Sequence, residues 1–177
     1  MNKKLLAMIA VGLLAGPMAA PSVYAIPVTW SLTGATFDDG TSANGSFVYD
    51  ADTNAYSAWA ITVQNGTLSA LTYDTTTSFL TLTNQDADGV LMMRNDGFRY
   101  INLNFLAPLT NAGGLIGLDL TLPSSLDNGS WECDNCLIAR FLTAGAVSAN
   151  VPEPGTVALF GLGLAGVGFA RRRRASN

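Results

Sequence analysis

The 177-residue sequence contains no histidine, only two cysteines, and no lysine after Lys4. Without histidine, the chain on its own cannot form a Ser-His-Asp or Cys-His catalytic set, or a histidine-ligated metal site. Without lysine in its body, it cannot form a Schiff base there. Glutamate is also scarce, because Glu132 is the only one before Glu153. We therefore predict no catalytic residue in this chain.

Basic residues are scarce outside the two ends of the chain. Two lysines lie near the start, and four of the seven arginines follow one another near the C-terminus. All thirteen acidic residues lie between Asp38 and Glu153, where only three arginines oppose them, so this stretch has a formal charge of −10. Because binding to phosphates needs clustered lysine or arginine, this charge argues against nucleic acid as a partner.

The first 25 residues have the three parts of a secretory signal peptide. Two lysines form the charged start, Leu5–Leu14 is an apolar stretch without charge, and Val23 and Ala25 are small residues at the positions that signal peptidase reads. We predict export by the Sec machinery, cleavage after Ala25, and exclusion of residues 1–25 from the fold. An N-terminal membrane anchor is the alternative, which the shortness of the apolar stretch disfavours.

The C-terminal region combines two prolines around a glutamate, an apolar stretch at residues 156–170 and a cluster of arginines. The first part is Pro152, Glu153 and Pro154, and the cluster is Arg171, Arg172, Arg173 and Arg174. As a helix the stretch would be about 22 Å long at ~1.5 Å per residue, which is short for a bilayer core of ~30 Å. The positive-inside rule keeps such arginines in the cytoplasm. We predict a C-terminal transmembrane helix that holds the exported chain in the inner membrane.

The order of these three parts, at residues 151–174, resembles a PEP-CTERM sorting signal. The resemblance implies a Gram-negative source and recognition by exosortase, a membrane-embedded enzyme that cuts near the motif and passes the protein to the cell surface. It also implies a setting of exopolysaccharide and biofilm. Residues 30–63 are similar to the opening of many surface proteins with such signals, which supports the fold and the location but no activity. A simple tail anchor is the alternative.

Residues 26–150 are predicted to form one all-β domain, long enough to bury a core. Apolar and polar residues alternate with the period of a half-buried strand in several stretches. They include Trp30–Thr33, Phe47–Tyr49, Ile61–Val63, Leu68–Tyr73, Leu80–Thr83, Ile101–Phe105 and Leu118–Leu122. Asn44-Gly45, Asn65-Gly66 and Asn128-Gly129 predict hairpin turns, because both central residues of a type I′ turn need positive φ. We expect eight to ten antiparallel strands in a β-sandwich or jelly roll.

The two cysteines form a Cys133-x-x-Cys136 pair. Export places them in an oxidising compartment, which favours a disulfide across a tight turn. A redox motif is one alternative, but such motifs stand at the start of a helix. Half of a zinc site is another, but it would need two further ligands. We predict the disulfide.

Asp50, Asp52 and Asn54 are spaced like the first ligands of a calcium loop. Ala55 stands where an EF-hand needs glycine, and Ile61 stands where it needs glutamate, so an EF-hand is excluded. A looser calcium site and ordinary turn residues that bond their own backbone are the two interpretations that remain. No other metal and no cofactor is predicted.

Together these features predict a non-catalytic exported protein of the cell surface or extracellular matrix, with exopolysaccharide as its partner. The alternative is a secreted carbohydrate-binding module or a weak glycan-active enzyme, in which exposed Trp59 or Trp131 would stack on sugar rings. Burial of both tryptophans in the core is the opposing interpretation. A third hypothesis is a subunit of a surface fibre, joined through exposed strand edges.

Overall fold

The computed structural model describes residues 26–122, 128–151 and 160–165. Ten β-strands form within these ranges, and all their pairings are antiparallel. They are β1 (Val28–Phe37), β2 (Ser42–Asp50), β3 (Ala55–Val63), β4 (Leu71–Asp74), β5 (Ser78–Asp86), β6 (Gly89–Arg94), β7 (Arg99–Asn104), β8 (Gly114–Gly117), β9 (Trp131–Asp134) and β10 (Ile138–Ala149). The predicted all-β antiparallel fold is confirmed.

The strands form one hydrogen-bonded path in the order β4-β3-β2-β1-β10-β9-β7-β6-β5, and β8 pairs with β10. The two ends of this path, β4 and β5, follow each other in the chain and lie in contact. Side chains bridge the seam: Trp59 Nε1 donates to Ser78 Oγ at 3.0 Å, and Arg94 Nη1 donates to the Thr72 carbonyl at 3.1 Å. The described strands thus form one nearly closed, barrel-like sheet, and the finer arrangement as a β-sandwich or jelly roll stays a prediction.

The alternation of β1 shows why these residues form strands that close around a core. Val28, Trp30 and Leu32 point inward and are buried, and the residues between them are exposed. The pairing of β1 with β2 is shifted between Leu32 and Ala35, around Gly34 with its φ of 61°. This bulge reverses the alternation, so Ala35 becomes buried in the second half of the strand.

Aromatic rings occupy much of the barrel interior. Phe47 is fully buried, and its ring centroid lies 5.4 Å from that of Tyr56 and 5.9 Å from that of Phe105. Tyr49 lies 4.7 Å from Tyr56 in a tilted arrangement. These tilted contacts are the geometry that aromatic pairs prefer. The core therefore excludes water from the middle of the barrel.

The prediction of a hairpin turn at Asn44-Gly45 is wrong, because both residues lie within β2. The turn between β1 and β2 instead lies at residues 38–41, where Gly40 donates to the Phe37 carbonyl at 3.0 Å. Gly45 has a φ of 139°, and a Cβ atom there would lie 2.0 Å from the Ala60 carbonyl oxygen. This glycine serves the close approach of β3 to β2 rather than a turn.

The prediction of a strand at Leu118–Leu122 is also wrong. Only Leu118 pairs, in an isolated bridge with Phe105. Asp119 then accepts hydrogen bonds from the backbone N–H of Thr121 at 3.0 Å and from its hydroxyl at 2.8 Å. A side chain that bonds the backbone two residues ahead makes a turn, which ends the ladder despite the alternating sequence.

The barrel has two ends, which we call the terminal end and the distal end. β1 begins and β10 ends at the terminal end, next to the turns at residues 51–54 and 87–88. The β1–β2, β6–β7 and β9–β10 turns lie at the distal end. Beyond the barrel, residues 160–165 are helical. In the described ranges, no helix is both long and apolar enough to cross a bilayer.

Candidate functional site

A cluster of buried charged side chains lies inside the barrel near its distal end. Glu132 on β9 is fully buried, as is Arg140 on β10, and Arg99 on β7 is 6% exposed. Glu132 accepts hydrogen bonds from Arg99 Nη2, from Arg140 Nε at 2.7 Å and from the Tyr73 hydroxyl at 2.9 Å. We call these four residues the Glu132 network. Arg99 is further held by the hydroxyl and carbonyl of Ser69, at 3.1 and 3.2 Å.

Arg140 connects this network to the β1–β2 turn and to the loop after β3. Its Nη1 donates to Thr41 Oγ1 at 2.7 Å, to the Gln64 carbonyl at 3.0 Å and to Asp39 Oδ2 at 3.2 Å. Its Cζ lies 4.3 Å from the centroid of the Phe37 ring, within the range of a cation–π contact. One guanidinium group thus joins segments from both halves of the chain.

The environment of the network shifts the pKa of two groups. Burial raises the pKa of Tyr73, and the neighbouring Glu132 charge raises it further, so the phenol stays protonated. Burial also pushes the pKa of Asp39 upward, but hydrogen bonds from two threonines and from Arg140 outweigh this and hold it below 3.8. The carboxylate of Asp39 therefore stays ionised opposite Arg140.

The carboxylate of Glu132 is fully engaged and closed off from solvent. Both carboxylate oxygens of Glu132 already accept hydrogen bonds from charged or phenolic donors, and the side chain has no exposed surface. A general acid or base must reach the proton of a substrate. Glu132 cannot do so in this arrangement, so the network is suited to holding strands together.

Sequence reasoning missed this network. Two of the three arginines in the domain and its one glutamate occupy inward positions, such as Arg99, which shares its face of β7 with Ile101 and Leu103. A charged residue at an inward position of an alternating strand was the available signal, because such a residue needs a partner. Which residue that partner is depends on strand order, which the alternation does not contain.

The structure joins Cys133 and Cys136 in a disulfide with a Cα–Cα distance of 4.8 Å. The bond spans the turn between β9 and β10 at the distal end. Asn135 and Cys136 in this turn both have a φ of 49°, a left-handed conformation that is uncommon for residues other than glycine. In the part of the chain that is described, there is no free cysteine.

Two of the three predicted calcium ligands, Asp50 and Asn54, already accept hydrogen bonds from the protein. Asp50 accepts hydrogen bonds from the Asp52 N–H at 3.0 Å and from Thr53 Oγ1 at 2.8 Å, which lower its pKa. Asn54 accepts a hydrogen bond from the Tyr49 hydroxyl at 2.6 Å. Among the described residues, no group of three or more His, Cys, Asp or Glu is arranged to hold a metal. Calcium binding stays a prediction that these contacts do not support.

Neither tryptophan predicted to bind sugar is fully exposed. Trp131 is 3% exposed and packs with Leu91 and Cys133 in a small cluster on the outer face of the sheet. Trp59 is half-buried against the core, and its indole N–H is bonded to Ser78. Stacking of sugar on Trp131 would require the fold to open, whereas Trp59 offers only part of its ring.

A different set of apolar side chains lies in one row on the outer face. Phe79 on β5 pairs with Met93 on β6, Met93 with Tyr100 on β7, and Tyr100 with Cys133 on β9. Phe79 is 42% exposed, and Met93 and Tyr100 are half-buried. Phe79 and Tyr100 lie two strands apart, a separation of about 10 Å at the usual strand spacing. We call Phe79, Met93 and Tyr100 the outer row.

The two ends of the domain leave the barrel side by side. β1 and β10 pair from Phe37 opposite Leu142 to Ser31 opposite Ser148, and then diverge. The gap between them is an open cleft of about 310 Å³. Its lining is Ile26, Pro27, Val28, Thr29, Asn150 and Val151. The segments that precede and follow the domain therefore start from the same end of the barrel.

Several predicted sites lie outside the described residues. They are the cleavage site at Ala25, the motif residues Pro152, Glu153 and Pro154, and the arginines from Arg171 to Arg174. Most of the predicted transmembrane stretch lies outside them as well, since only residues 160–165 of it are described. These assignments rest on the sequence.

The molecule is a β-barrel domain that continues, from its terminal end, into a motif of two prolines around a glutamate, an apolar stretch and an arginine cluster. This is the arrangement of a protein with a C-terminal sorting segment. Residues 150–174 match the family model of the PEP-CTERM protein-sorting motif, so the predicted sorting signal is confirmed. No curated protein and no solved structure matches the chain. The motif indicates an exported protein that exosortase processes at the membrane.

Proposed function

We propose that the protein is exported, held for a time in the inner membrane by its C-terminal segment, and then released or transferred by exosortase to the cell surface. The match of residues 150–174 to the PEP-CTERM motif carries this proposal. The apolar stretch at residues 156–170 would lie in the bilayer, with the arginine cluster on its cytoplasmic side. The barrel would then lie outside that membrane.

The position of the chain ends supports this arrangement. Because β1 and β10 are antiparallel neighbours, the segments before Ile26 and after Val151 leave from one end of the barrel. A precursor that still carries both segments could insert both into one membrane without crossing or unfolding the domain. The distal end, with the disulfide and the Glu132 network, would then face away from the membrane.

For the barrel we propose a non-catalytic role in an extracellular polysaccharide matrix. Its interior is filled by aromatic side chains and by the buried Glu132 network, whose carboxylate is already engaged by its partners and offers no open reaction site. With residues 1–25 and the arginine tail removed, the remaining protein carries a formal charge near −10. Such a charge favours solubility and repels anionic polymers unless divalent cations bridge them.

Fractionation of cells with and without exosortase tests the sorting proposal. We expect the protein to lose mass and leave the inner membrane only where exosortase is present. Replacement of Pro152, Glu153 and Pro154 by alanine should block this change, and Asp52→Ala, which removes one exposed acidic residue elsewhere, should not. Identical size and location in both strains would refute the proposal.

The outer row supports a second candidate function, the binding of a glycan to the outer face of the sheet. Phe79 and Tyr100 present rings on one face at a spacing that suits stacking on an extended sugar chain. Phe79→Ala and Tyr100→Ala should each weaken retention on an exopolysaccharide matrix several-fold, at ~0.5–1.5 kcal/mol per ring contact. Leu115→Ala is the matched control, because Leu115 is 73% exposed but lies on β8. Equal retention of all variants would exclude this surface.

A further inference from the structure

The fold holds the chain up to Val151, the residue before Pro152. The ladder between β10 and β8 continues to Ala149, which pairs with Gly114. Beyond it, Val151 still contacts the fold: a Cβ atom on Gly113 would lie 2.9 Å from Val151 Cγ2 and 2.7 Å from the Ala149 carbonyl oxygen. Gly113 has a φ of 68°, so glycine suits this position both sterically and conformationally. Pro152 is the next residue after Val151.

Only one side of β10 is held at this point. On the β1 side, pairing stops at Ser31 opposite Ser148, and the cleft begins there. On the other side, β8 is a strand of four residues whose Leu115 side chain is exposed. Short strands with few buried contacts open locally at low cost. The side chain of Ala149 is buried in the core, and the other described contacts that hold the end of β10 are those with β8 and Gly113, which we call the clamp.

We propose that this clamp limits access to the sorting motif, so that the end of β10 must open before the sorting enzyme can cut. This inference rests on the proposed function. Endoproteolytic enzymes bind their substrates as extended chain on both sides of the bond that is cut. A cut near Pro152 to Pro154 leaves the residues on its N-terminal side within the clamp. The tether is also short, because the six residues between Ala149 and Thr156 span at most about 20 Å.

Two changes with different physical effects test the clamp. Gly113→Ala places a methyl group against the Ala149 carbonyl and should displace the end of β10. Insertion of a flexible Gly-Ser segment after Val151 leaves the clamp intact but supplies extended chain outside it. If opening limits the reaction, both should speed conversion of precursor to product, by roughly tenfold for Gly113→Ala given the cost of a left-handed alanine.

Gly97→Ala is the matched control, because Gly97 has a φ of 79° and open space around it, and lies in the β6–β7 turn at the distal end. Conversion is followed by pulse-chase labelling in cells that contain exosortase, and resistance of the barrel to added protease reports folding. The insertion variant keeps the test valid if Gly113→Ala fails to fold.

Faster conversion of the insertion variant, with the control unchanged and the barrel still protease-resistant, is the expected result. Equal rates for the native chain and the insertion variant would overturn the clamp and leave the proposed function standing. A native chain that is not converted at all in the presence of exosortase would overturn the proposed function, and the clamp with it.

Discussion

Replacement of Glu132 by glutamine removes the charge that two buried guanidinium groups share. The carboxylate bonds Arg99, whose side chain is 7% exposed, and Arg140, whose side chain is fully buried. Glutamine keeps the size of the side chain, but its N–H₂ group replaces one carboxylate oxygen. A hydrogen-bond donor then stands where Glu132 now accepts hydrogen bonds. Arg140 keeps Asp39 as a partner at 3.2 Å, whereas the partner that Arg99 keeps among the described residues is Ser69, whose groups are neutral.

Loss of one member of a buried ion pair costs about 3–5 kcal/mol, because the remaining charge stays desolvated. Since Arg140 retains Asp39 in the variant, we expect about 3 kcal/mol, near the lower limit of that range. For a domain of this size, such a loss lowers the melting temperature by on the order of 10 °C.

Urea denaturation of the exported protein, followed by tryptophan fluorescence, measures this loss directly, and an unchanged m-value would show that the unfolded state is the same. Asp96→Asn is the control, because Asp96 and Arg94 form an exposed pair at 3.9 Å that should contribute less than ~1 kcal/mol. If Glu132→Gln lost no more stability than Asp96→Asn, the Glu132 network would not hold the barrel together.

Three further predictions concern other parts of the fold. The pKa of Asp39 is lowered by folding, so its contribution to stability is present above pH 3.8 and is lost as the pH falls through the folded-state pKa. The stability of Asp39→Asn should therefore depend less on pH in this acid range than the stability of the native protein. Replacement of Cys133 and Cys136 by serine should cost about 2 kcal/mol or less, since the closed loop is very short, and an unchanged urea midpoint would show that the bond contributes nothing. Gly45→Ala should lower the urea midpoint far more than Gly40→Ala. An alanine at position 40 meets open space and costs only the ~1–2 kcal/mol of a left-handed residue. Equal effects would contradict the close approach of β3 to β2.

The sequence indicated the strands because their inward positions are mostly apolar. In β1 the buried residues Val28, Trp30 and Leu32 alternate with exposed ones, and this pattern is local. The Glu132 network could not be deduced in the same way. Arg140 and its partner Asp39 lie 101 residues apart in the chain, and only the strand order brings them together.

The turns show the same limit. Asn44-Gly45 has the composition of a hairpin turn. A glycine in the sequence indicates that the position needs glycine, but it does not distinguish a turn from a close contact between strands. At Gly45 the reason is contact with a carbonyl of β3, which depends on pairing between strands. The number of strands was predictable from the local alternation of residues. The closure of the sheet into a barrel was not, because it depends on pairing between distant strands.

The sorting motif was predictable because it is a continuous segment with its own composition. The side-by-side exit of the chain ends was not, since it follows from the pairing of β1 with β10, the first and last strands of the domain. The row from Phe79 to Tyr100 was missed for a related reason. Its members come from three strands. The local signal for a sugar-binding ring pointed instead to Trp59, which is half-buried, and to Trp131, which is buried.

Export and sorting can be read from the intact mass of the protein, recovered from strains with and without exosortase. We expect a mature chain that begins at Ile26 in both strains, and that ends near Pro152 to Pro154, without the arginine tail, only where exosortase is present. A chain that keeps residues 171–174 in both strains, or one that loses them in both, would contradict this expectation.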